Sequence, residues 1–196
     1  MTMAFMRALA LQSVTDPAAA ARVLLGLRLP RSVLWQGLVL MAVLQAVIYA
    51  LSDLAFAEPN PMRLLFGGPL QFFMIALLGM VLFVYVLRMA GRLFGGQGEL
   101  DDVLAVMVWL NALRAAAQVA MLVLSLTVPM VAMVLMLVVT FFGLYISMHF
   151  INEALRLNSL LRSFFVLLVA SLAIGIALSI LLSLVGTPMP GANGHV

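Results

Sequence analysis

The chain has 196 residues, of which 66% are hydrophobic and 9% charged. A soluble domain carries about 25% charged residues, so this chain has too few to cover a water-facing fold, and it belongs in a bilayer. The net charge of +3 comes from ten arginines against seven acids, with no lysine. These arginines form no stripe, which argues against nucleic acid as a partner. There is no cysteine, so disulfides, thiolate metal sites and a cysteine nucleophile are excluded.

In chain order, the apolar run after Arg7 is too short for the hydrophobic region of a signal peptide. Asp16 and Pro17 then mark a helix start. The run through Val23, Leu24 and Leu27 to Leu29 predicts a short interfacial helix, ended by Pro30. Arg22, Arg28 and Arg31 would meet lipid headgroups there. Residues 1–31 are thus expected to form a segment ahead of the membrane domain.

Charges and prolines divide the rest. Residues 32–52 are uncharged between Arg31 and Asp53, and give the first span. The second runs over about 69–88, led in by Gly67, Gly68 and Pro69. Between Val103 and Asn152 the one charge is Arg114. Fifty residues of helix would measure about 75 Å, so Pro129 must mark a reversal, with spans at about 100–126 and 130–151. A fifth span covers about 163–185, and residues 187–196 form a tail. The expected fold is all-α: a polytopic bundle of five transmembrane helices over residues 32–186. With the N-terminus inside, eight arginines (Arg7, Arg22, Arg28, Arg31, Arg88, Arg92, Arg156 and Arg162) lie on the inner side and Arg63 alone outside. That bias places the N-terminus in the cytoplasm and the C-terminus outside.

Three groups of residues stand out. Arg114 falls near mid-span, with Asn111 and Gln118 on the same helical face. A polar stripe of this kind is expected to point into the bundle as a substrate, lipid-headgroup or ion contact; the structural alternative is that Arg114 snorkels toward the cytoplasmic side or hydrogen-bonds carbonyls and neighbouring spans. His149, Asn152, Glu153 and Arg156 share one face at the inner end of the fourth span. They suit a hydrogen-bonded network or a docking surface for a partner. The other histidine, His195, lies in the tail, so no two-histidine metal site forms. Ser171, Gly175, Ser179 and Ser183 place a small residue every fourth position, which suits close helix packing, first of all within the chain. The 15 methionines are spread through the spans as adaptable filler.

The polar loop 95–102 has the glycines of a phosphate cradle, but it continues into Glu99, Asp101 and Asp102, which repel phosphate and instead suit the start of a helix. No nucleophile–base pair, paired buried carboxylates or cofactor fingerprint is present, so neither an enzyme nor a bound cofactor is expected.

The turn Arg92-Leu93-Phe94-Gly95-Gly96-Gln97-Gly98 opening the third span, and the polar link 152–162 before a final apolar span, resemble the bacterial branch of the Yip family, the Ypt/Rab-interacting five-span membrane proteins. The similarity covers roughly residues 15–185. It implies a cytosolic N-terminus and a role in membrane organisation, with self-association or other membrane proteins as partners. The segment ahead of the first span is shorter here than in eukaryotic relatives. A bacterial member has no prenylated Rab to bind, so the resemblance implies no Rab partner and no catalytic residues. The expected function is that of a non-enzymatic organiser in a bacterial inner membrane. The alternative is a small transporter, channel or lipid-handling protein built on the stripe around Arg114.

Overall fold

The computed structural model describes residues 3–55 and 67–184. Arg63, Val185, His195 and the tail 187–196 lie outside the described residues. Among those described, every regular element is a helix.

Two short helices come first, α1 (Met3–Thr15) and α2 (Pro17–Gly26). Asp16 separates them, because its carboxylate accepts a hydrogen bond from the Ala19 amide at 3.0 Å and so caps α2, with Pro17 in the first turn. Five long helices follow: α3 (Arg31–Ala55), α4 (Pro69–Leu93), α5 (Leu100–Thr127), α6 (Pro129–Leu155) and α7 (Leu160–Leu184). All five are long and apolar enough to cross a membrane. Proline opens α4 and α6, where its missing N–H costs nothing. Only Val128 separates α5 from α6, so the chain reverses at Pro129.

Several helices run past the apolar limits. Helix α4 continues to Leu93 and α6 to Leu155, while α7 begins at Leu160. Hydropathy marks the stretch in hydrocarbon, whereas backbone hydrogen bonding carries a helix on to its cap. The N-terminal segment departs further. The helix starting at Pro17 stops at Gly26 rather than Leu29, and it is preceded by α1. Both helices pack on the bundle, with Leu9, Ala20, Ala21 and Leu24 buried.

Helix α5 packs against α2, α3, α4 and α6, and α7 packs against α4 and α6. Arg31 pairs with Asp101, and Gly37 faces Val108, so α3 and α5 run side by side and parallel. Along the antiparallel α3–α4 seam, Trp35 meets Tyr85 with centroids 6.4 Å apart, and Tyr49 stacks on Phe72 at 4.5 Å. The core is concentrated at the arginine-rich end, around Leu104, Val106, Phe150 and Leu155. Toward the other end α6 is exposed on most sides from Met130 to Tyr145, as suits a helix solvated by lipid tails.

Candidate functional site at the arginine-rich end

The helix junctions at this end are locked by backbone geometry. Helix α6 ends with Arg156 in the left-handed region (φ 55), while the Arg156 amide donates to the Glu153 carbonyl at 3.3 Å and the Leu157 amide to the Asn152 carbonyl at 3.1 Å. This is the Schellman ending, with Leu157 buried beyond it. The Asn152 side chain then accepts from the Ser159 amide at 2.9 Å and from the Ser163 hydroxyl at 3.4 Å, tying α6 to the start of α7.

The glycine turn seats on that same ending. The Gly96 amide donates to the Gly91 carbonyl at 2.8 Å and the Gln97 amide to the Leu155 carbonyl at 2.9 Å. A Cβ on Gly96 would lie 2.9 Å from the Gly91 oxygen and 3.0 Å from the Leu155 oxygen, and one on Gly98 would collide with the Ala154 carbonyl. Gly95 supplies the positive φ of +84 that turns the chain. Glu99 then caps α5 in a reciprocal box with Asp102.

The α1–α2 hairpin is held against this frame. Ser13 is fully buried; its hydroxyl donates to the Leu9 carbonyl at 2.8 Å and accepts from the Trp109 indole N–H at 3.0 Å. Arg22 reaches Glu153 at 3.1 Å, Arg31 reaches Asp101 at 2.6 Å and Arg156 reaches Asp102 at 3.6 Å. All three arginines are largely exposed, so each pair orients more than it stabilises. Between hairpin and bundle lies a cleft of about 590 Å³, lined by Arg22, Arg28, Arg156, Glu99, Asp102 and Glu153 over a leucine floor. Trp109→Phe should leave Ser13 without its indole partner at a cost of about 1 kcal/mol. The expected readout is faster proteolysis within residues 3–26, with the thermal midpoint of the bundle little changed.

The four residues singled out at the end of α6 engage different elements. Asn152 serves the α6–α7 link, Glu153 the hairpin and Arg156 the start of α5. His149 packs edge-on against Tyr145, with centroids 4.6 Å apart, and its Nε2 is sealed from solvent without a hydrogen-bond partner.

The intramembrane stripe is divided. Asn111 is buried and its amide donates to the Met107 carbonyl at 2.8 Å. Gln118 is half-buried with Oε1 sealed and unpartnered. Arg114 is exposed rather than enclosed by the bundle. The reason is coverage. The hairpin and neighbouring helices bury α5 around most of its circumference from Val103 to Met107, but beyond Asn111 only Ala115 is fully buried. A second polar residue comes from α3 instead. Gln45 is buried with an unpartnered Nε2, and the parallel α3–α5 register puts it close to the level of Gln118. Its sequence signal is the deeper of two glutamines, Gln36 and Gln45, in the uncharged first span.

The ladder Ser171, Gly175, Ser179 and Ser183 also lies outside the intrachain packing, since all four residues are exposed. Helix α7 buries Ser163, Val166 and Ala170, a different face that ends before the ladder is covered. The Ser179 hydroxyl satisfies itself on the Gly175 carbonyl at 2.8 Å.

Residues 11–182 match the Yip1 domain. No curated protein and no solved structure gives a significant match to the chain. The matched region holds α2, the glycine turn, the ion pairs and nearly all of the five long helices, and the chain therefore belongs to the Yip1 domain family of multi-pass membrane proteins.

Proposed function

We propose that this protein is a non-enzymatic organiser of the membrane and of other membrane proteins, lying in a bacterial inner membrane with its arginine-rich end in the cytoplasm. One observation carries the reading: the α1–α2 hairpin is fastened to a single end of the bundle with an apolar stripe turned outward. Met3, Leu11 and Val14 share that face, with the exposed Arg7 set among them, and Met3 and Leu11 are 83% and 71% exposed. Leu9 and Ser13, on the opposite face, hold the helix to the bundle. A helix anchored this way enters one leaflet only, which suits a protein that shapes or marks its surroundings. Family membership supports the same class of role. A transport role built on Arg114 has less support, because that residue is exposed rather than enclosed by the helices of the bundle.

Photo-crosslinking from Leu11 in native membranes, followed by identification of the products, tests the reading. The expected products are defined neighbouring membrane proteins or a second copy of the chain. Consistent recovery of an uncrosslinked monomer from intact membranes would sink it.

A further inference from the structure

Arg88 and Arg92 differ from the arginines that build the ionic frame. Arg22, Arg31 and Arg156 each have a carboxylate within 4.0 Å. Among the described residues, neither Arg88 nor Arg92 has one. They are four residues apart on α4 and so share a face. Arg88 is half-buried, and its Nε is sealed from solvent without an acceptor.

Their surroundings are aromatic. Tyr85, one turn before Arg88, meets Trp35 across the α3–α4 seam. Arg31, one turn before Trp35 on α3, lies within electrostatic range of Tyr85. The seam therefore brings Arg31, Trp35, Tyr85, Arg88 and Arg92 together at one end. Asp101 occupies Arg31 at 2.6 Å, which leaves the two α4 guanidinium groups to seek an anion.

The depth fits a lipid phosphate. The aromatic pairs Trp35–Tyr85 and Tyr49–Phe72 mark two levels of the same seam about 21 Å apart, from fourteen residues of α3 at 1.5 Å each. Aromatic side chains of this kind favour the membrane interfaces. Arg88 lies about 4.5 Å and Arg92 about 10 Å beyond the first pair toward the arginine-rich end, which is where phosphates sit. On the apolar side of the pair, Val39 and Val43 of α3 and Leu78 of α4 are exposed along the same seam, a surface for acyl chains. A soluble phosphate would leave that apolar strip unused.

We propose that the arginine-rich end of the α3–α4 seam binds the phosphate of an anionic glycerophospholipid, held by Arg88 and Arg92 with Trp35 and Tyr85 flanking its glycerol region. Basic sites between spanning helices recognise headgroups in this way, and guanidinium groups match phosphate oxygens two bonds at a time. The proposal rests on this end facing an anionic leaflet. It does not depend on the organising role, because it is read on the isolated protein.

The test is lipid retention. The purified protein is placed in nanodiscs of equal phosphatidylglycerol and phosphatidylcholine, extracted gently, and its bound lipids are measured by mass spectrometry. The wild type is expected to retain phosphatidylglycerol in roughly thirtyfold preference, near what two arginines at an anionic surface provide. Arg88→Gln with Arg92→Gln should bring the ratio close to one, and Arg88→Lys with Arg92→Lys should keep part of it. Arg162→Gln removes a charge from the same end and should leave the preference in place. If the Arg88 variants fail to fold, exposed Arg92→Gln alone should still cut the preference by about fivefold. An unselective wild type, or a loss in the Arg162→Gln control equal to that in Arg92→Gln, overturns the proposal. Displacement of the lipid by millimolar inorganic phosphate overturns the assignment to a lipid.

Discussion

Gly98→Ala should prevent stable folding of the arginine-rich end, the largest effect expected of any single methyl group in this chain. The added Cβ would overlap the Ala154 carbonyl oxygen and sit 2.8 Å from the Leu155 Cα. Both are backbone atoms of the last turn of α6, pinned by the Schellman ending and by the Gln97–Leu155 hydrogen bond. Neither can move aside as a flexible side chain does, so relief requires the turn to lift off α6. That would break the Gln97 contact and disturb the pairing of Asp102 with Arg156. Overpacking a tight site costs about 1–3 kcal/mol, and more where backbone must shift; we expect 3 kcal/mol or more. Two companion variants calibrate the result. Gly91→Ala meets only the Leu155 side-chain methyls, at 2.7 and 2.9 Å, so it should be milder. Gly95→Ala has open space around it but a φ of +84, so it should cost about 1 kcal/mol from backbone conformation alone. Thermal unfolding in detergent ranks the three. If Gly98→Ala melts with or above Gly95→Ala, the close seating of the turn on α6 is wrong.

The sequence pattern reveals those features whose cause is local. Pro129 and the uncharged stretches reveal five spans, because a lipid-facing helix must be apolar along its own length. Asp16, Pro17 and Glu99 reveal helix starts, because a cap bonds to amides two or three residues away. Helix α1 stayed hidden for the opposite reason. Its place depends on Ser13 meeting Trp109, 96 positions along the chain, and no local pattern encodes that meeting. The same holds for the ionic frame. The three acids after the glycine turn read as a helix start, which Glu99 and Asp102 do form, yet Asp101 and Asp102 also hold Arg31 and Arg156. Spacing placed Asn111, Arg114 and Gln118 on one side of a helix, and Ser171 to Ser183 on one side of another. It could not tell how far along that side a neighbouring helix extends. Full burial ends at Ala115 on α5 and, among the described side chains, at Ala170 on α7.

Arg114→Leu is expected to stabilise the protein, because α5 is only partly covered at that level. Arg114 stands about half-way along α5, exposed, with no ion-pair partner among the described residues. An arginine at the centre of a spanning helix costs at least about 2.5–3.5 kcal/mol on insertion scales. Part of that is recovered here. The Cα–Cβ bond of a helical residue tilts toward the helix N-terminus, and for α5 this is the arginine-rich end. The side chain can therefore run along the helix toward the headgroups, its methylenes in lipid and its guanidinium seeking water. Leucine needs no such excursion, so a gain of about 1–2 kcal/mol remains after that discount. It should appear as a higher denaturant midpoint in bicelles, with unchanged crosslinking neighbours and unchanged lipid preference. Asn111→Leu provides the contrast, because it places a larger apolar group in a buried position where the amide now bonds to Met107, and should not stabilise. A loss of stability in Arg114→Leu would mean that the guanidinium has a partner outside the single chain, such as a lipid phosphate drawn inward or a carbonyl of a second copy. A loss of solute flux in a correctly inserted Arg114→Leu protein would return the transport reading to the front. A more stable protein with every other property intact would leave Arg114 as a residue the bilayer tolerates because its side chain starts in the right direction.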